Sequence, residues 1–93
     1  MRDVVLSEFV LAAIRRQTRE WPTFDRVFQR AIVWRLERMA QIDSVPIPGT
    51  SPQAFVVVST AWKAEGIPRL RLTYVEIPNG IELRSLAIWA QPT

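Results

Sequence analysis

RLRLTYVEIPNGIELRSLAIWA, residues 69–90, decides the fold. Two runs rich in β-branched, aromatic and leucine residues flank Pro78-Asn79-Gly80, and Asn-Gly between such runs predicts a β-hairpin with both loop residues at positive φ in a type I′ turn. In that register Pro78 faces Ile81, Glu76 faces Leu83, Tyr74 faces Ser85, Leu72 faces Ala87 and Leu70 faces Trp89. Alternation then separates two surfaces. One, with Leu70, Leu72, Tyr74, Leu83, Ala87 and Trp89, reads as a core face. The other, with Arg69, Arg71, Thr73, Val75, Glu82, Arg84, Leu86 and Ile88, is an apolar floor carrying three arginines and one carboxylate. It is too apolar for a solvated surface and too charged for a core. A slip of one residue would exchange the two faces.

Upstream, residues 54–61 (AFVVVSTA) are apolar on both faces and predict a strand buried on both. Residues 62–68, which hold the single lysine, Lys63, return the chain through a loop wider than a tight turn. Residues 43–53 (DSVPIPGTSPQ) hold three of the seven prolines and no period, so they read as a connecting loop. Before them, residues 24–41 predict a helix with Phe24, Val27, Phe28, Ala31, Ile32, Leu36 and Met39 on one face and Trp34 at its margin. Arg35 falls near the middle of that face. Either its stem packs while its head snorkels to solvent, or it projects into an interface. Trp21-Pro22-Thr23 separates this helix from an earlier one, which starts after Ser7 as N-cap with Glu8 at its positive end. Its apolar stripe is Phe9, Val10, Ala13, Ile14 and Gln17. Val4, Val5 and Leu6 predict a short opening strand. The order is β-α-α-β-β-β, an α+β domain over residues 1–93 in which a helical hairpin covers one face of a small, mostly antiparallel sheet.

Composition narrows the chemistry. Ninety-three residues suit one domain on a single core. The absence of cysteine excludes disulfides and a thiolate nucleophile, and the absence of histidine removes the commonest general base and the usual zinc ligand. No metal and no cofactor is expected. The net charge is +3, and eleven of the twelve cations are arginine, the side chain that grips phosphate or carboxylate bidentately. No apolar run is long enough to span a membrane and no signal-peptide pattern opens the chain, so a cytoplasmic protein without membrane contact is expected.

The opening VVLS before a helix, the second helix ending RLERMAQ before a proline-containing loop, and the closing LRLTYVEIPNGIELRSLAIWA together resemble the RelE/ParE superfamily of bacterial toxin–antitoxin toxins. That resemblance covers most of the chain in pattern, without an invariant motif. It implies a toxin held inactive by a cognate antitoxin. Free, it would cut messenger RNA on the ribosome, as RelE-like members do, or inhibit DNA gyrase, as ParE-like members do. It places Arg71 and Arg84 at positions of phosphate-binding arginines, with Lys63 and Arg69 extending the patch. RNA cleavage also needs a base, and Glu82 is the carboxylate on the same predicted face. The tyrosine or histidine that RelE-like nucleases keep near the C-terminus has no counterpart in residues 86–91. Leu86 and Ile88 are then expected to mark where a partner packs. The alternative is a non-catalytic interaction module with a toxin-like fold, including a homodimer through the same face.

Overall fold

The computed structural model describes residues 1–39 and 42–89. The expected α+β architecture is present: helices lie on one face of a five-stranded sheet, with strands β1 (Asp3–Leu6), β2 (Val45–Pro46), β3 (Ala54–Val58), β4 (Leu70–Ile77) and β5 (Gly80–Ile88). The strand order is β1-β5-β4-β3-β2, with β1 parallel to β5 and every other pair antiparallel.

Helix α1 (Glu8–Glu20) begins where the sequence places it, because the Ser7 hydroxyl accepts the Val10 N–H at 3.4 Å. The same hydroxyl donates to the Arg84 carbonyl at 3.3 Å, and the Ser7 N–H donates to the Leu83 carbonyl at 3.1 Å. The helix start is thus pinned to β5. Its buried residues are Val10, Ala13 and Ile14, whereas Phe9 is 80 % exposed. The expectation for Phe9 is corrected: about 100° per residue separates it from Val10, which takes the centre of the stripe.

The second helix runs without a break through α2 (Phe24–Val27), a π-helical segment (Phe28–Val33) and α3 (Trp34–Arg38). Its predicted end at Gln41 lies outside the described residues. The π segment has a reason in the sequence. Phe24, Phe28, Ile32 and Leu36 are the buried residues, and they repeat every four positions. On a regular α-helix that repeat drifts by about 40° per step; i→i+5 turns, such as Trp34 N–H to Gln29 carbonyl, underwind the helix and hold the four on one stripe. The same underwinding carries Arg35 out of the apolar face to an exposed position.

Two expectations about β3 and its approach are also corrected. The proline loop contains β2, which pairs Val45 with Val56 and Pro46 with Phe55. Strand β3 is half-buried rather than buried on both faces: Phe55 and Val57 pack against the core, Ala54 and Val56 are half-buried on the other side, and Val58 is exposed.

The hairpin itself has a different register from the expected one. Ile77 pairs with Gly80, so the loop residues are Pro78 and Asn79. Proline's locked negative φ rules out a type I′ turn, and Asn79 and Gly80 do not adopt positive φ. Beyond Tyr74↔Leu83 the pairing shifts to Thr73↔Ser85, which leaves Arg84 as the extra residue of a β-bulge. The bulge inverts the alternation of β5. Leu86 is therefore buried and Ile88 packs against the core, while Ala87 and Trp89 are exposed, the reverse of the predicted assignment. Leu70, Leu72, Tyr74 and Leu83 occupy the core as expected.

Candidate functional site

The helices cover the face bearing Val4, Leu6, Phe55, Val57, Leu70, Leu72, Tyr74, Ile81, Leu83 and Leu86. Register places the alternate residues on the other face, which no described element covers. Across its middle run Val5, Glu82, Val75 and Ala54, then Ser85, Thr73, Val56 and Val45, then Ala87, Arg71 and Val58. The floor is thus built from valine, alanine and hydroxyl side chains. Val75, paired with Ala54 and Glu82 at the centre, is 5 % exposed although it stands outside the main core cluster. Thr73 Oγ1 and Ser85 Oγ are hydrogen-bonded to each other.

Charge on this face is sparse and unevenly placed. Arg84 Nε lies 2.5 Å from Glu82 Oε1, so the candidate base and one candidate phosphate ligand are paired with each other. Arg71 stands level with Ala87 and Glu82 level with Val75, four residues or roughly 13 Å apart along the strands. The structure therefore brings Glu82 and Arg84 together and places Arg71 four residues along the strands from Glu82. Arg69 sits one residue before the start of β4, exposed, with Nε donating to the Ser59 carbonyl at 3.4 Å. Lys63 is exposed on a 3₁₀ turn, Lys63–Glu65, in the β3–β4 loop. Leu86 and Ile88 lie on the helix side, where the bulge sends them, and do not reach the open face.

Two residues were not singled out by sequence reasoning. Asp3 lies on the open face at its upper end, beside Gly80. Neither its carboxylate nor the Arg71 guanidinium has a partner among the described residues. Its signal was present only as the odd position of an alternating strand, legible once β1 was known to pair with β5. Gly80 is the other. A Cβ there would overlap the backbone of Asp3, so this glycine exists to let β1 approach.

Depressions also lie off this face. A cleft of about 190 Å³ between the second helix and β3 has Ile32, Leu36, Val57 and Leu72 as its floor, with Arg35 and Asp43 among its lining. A wider one, of about 700 Å³, opens near the hairpin tip around Tyr74 and Glu76, where the Tyr74 hydroxyl is bonded to Ser44 Oγ at 2.6 Å. Among the described residues there is no group of three or more His, Cys, Asp or Glu side chains that would hold a metal ion, and no helix long and apolar enough to cross a membrane.

The chain matches no family model, no curated protein and no solved structure.

Proposed function

We propose that the chain is a non-catalytic protein-binding module that engages its partner through the open sheet face, working in the cytoplasm. The observation that carries this reading is the pairing of Glu82 with Arg84 on a valine-rich floor. The Glu82 carboxylate is engaged by Arg84 rather than held free to meet a substrate hydroxyl. Arg71, level with Ala87, stands four residues along the strands from Glu82 and makes no contact with it. What remains is an uncovered surface of β-branched side chains with a few charges, the composition of a protein interface rather than a nuclease groove.

Its test compares the wild-type chain with Val56→Lys, which sets a charge in the middle of the floor. Both should leave ribosome-bound messenger RNA intact, and only the wild type should retain a specific protein partner. RNA cleavage that Glu82→Gln abolishes would overturn the non-catalytic reading.

A second reading is favoured by the element order together with β1 running parallel beside the last strand: a toxin of a type II toxin–antitoxin system. Its partner would be an antitoxin lying across the open face, and its target DNA gyrase in preference to messenger RNA. Growth arrest on expression of the chain alone, relieved by Val56→Lys at equal abundance, is the expected outcome under that reading.

A further inference from the structure

We infer that the partner on the open sheet face is a second copy of this chain, related by a two-fold axis that lies between the facing sheets and runs obliquely to the strands, with Asp3 of each copy paired to Arg71 of the other. The inference rests on the protein-binding reading and names the occupant.

The face carries two side chains without partners among the described residues, of opposite sign and at opposite ends. Asp3 stands level with Gly80 and Ile77 at the hairpin end, on edge strand β1. Arg71 is six residues below Ile77 on the central strand, level with Ala87, roughly 20 Å away along the strand direction. The Glu82–Arg84 pair between them is internally neutral. An acidic partner segment would satisfy Arg71 but leave Asp3 facing like charge; a basic one would do the reverse. A two-fold copy turned end over end satisfies both, twice, because residue i meeting residue j implies j meeting i.

The floor between these charges suits sheet-on-sheet packing. Val5, Val45, Val58 and Ala87 are exposed and small or β-branched, and around the Glu82–Arg84 pair they give a facing sheet apolar surface to pack on. The face measures roughly 20 Å by 20 Å from strand spacing and rise. That is below the range of stable protein interfaces, so the dimer is expected to be transient and to exchange with monomer at micromolar concentration or above.

Sedimentation equilibrium of the full chain tests this, from about 1 µM into the 100 µM range at low salt, where interface charges act most strongly. The wild type should approach a dimer, and Val56→Lys should remain monomeric with an unchanged circular dichroism spectrum. Asp3→Arg and Arg71→Asp should each weaken association by about tenfold or more, since each sets like charges together. Combining them restores both pairs with signs exchanged, and should return the dissociation constant to within about threefold of wild type. That restoration cannot come from a variant that merely fails to fold. A wild type that stays monomeric throughout overturns the homodimer. So does a dimer indifferent to Val56→Lys, or a double reversal no better than the singles. If the monomeric wild type still retains a different protein in a Val56-dependent way, the homodimer is overturned while the protein-binding reading stands; if it retains none, both fail.

Discussion

Gly80 shows how one residue can serve a purpose other than the one its neighbours suggest. Beside Asn79 it reads as a turn glycine, yet it opens β5 without a positive φ and is needed because the Asp3 backbone passes where a side chain would be. Gly80→Ala should therefore lose about 1–3 kcal/mol, the usual cost of overpacking a tight site, read as a lowered denaturation midpoint. Gly66, at φ 70° with open space around it, is a glycine of the conformational kind. Tyr74 combines a buried ring, stacked on Phe55 at 5.3 Å between centroids, with a hydroxyl bonded to Ser44. Tyr74→Phe keeps the ring and removes one hydrogen bond, so a loss of about 0.5–1.5 kcal/mol in urea unfolding is expected. Phe9 is the counter-case. Exposed at the start of α1, it should tolerate Phe9→Ser within about 0.5 kcal/mol despite its apolar character.

At the scale of elements, the chain was most legible where one local rule acted alone. Ser7 capping α1, the break at Trp21-Pro22-Thr23 and the burial of Leu70, Leu72, Tyr74 and Leu83 follow from capping chemistry and alternation, and all are present. The fourfold repeat of Phe24, Phe28, Ile32 and Leu36 was also written in the sequence, but its consequence was not read: a helix underwound by a π segment. Phe28→Ala, at the start of that segment, should cost about 3–5 kcal/mol, as for other buried aromatics, in thermal or urea unfolding. The site was less legible than the fold. Placing Leu86 and Ile88 on the open face follows from an unbroken two-residue alternation, and a single bulged residue at Arg84 defeats it. Nothing in the local sequence Leu83-Arg84-Ser85 announces that bulge, because its carbonyl is satisfied by Ser7, a residue on another element.

For the whole molecule, the helices protect one face of the sheet and leave the other to its environment. Stability and association should then separate experimentally. The wild-type melting temperature should rise by a few degrees as concentration increases through the dissociation constant, by mass action. That of Val56→Lys should not change with concentration. The Glu82–Arg84 pair should matter little to either, being partly solvated on both sides; Arg84→Ala is expected to shift stability by less than about 1 kcal/mol.

The helices, strands β1, β3, β4 and β5, and the α+β order were determined by the sequence itself, because hydrophobic period, capping residues and breakers act over a few neighbouring residues. The absence of cysteine and histidine likewise narrowed the chemistry without any structure. Only the tertiary structure decided which strand lies beside which, that β1 passes over Gly80, and that Arg84 is bulged, so that Glu82 meets Arg84 while Asp3 and Arg71 stand apart on one open face. The physical reason is range. A parallel contact between the first strand and the last joins residues more than seventy positions apart, and the register it sets is fixed by packing across the sheet, which no local pattern encodes.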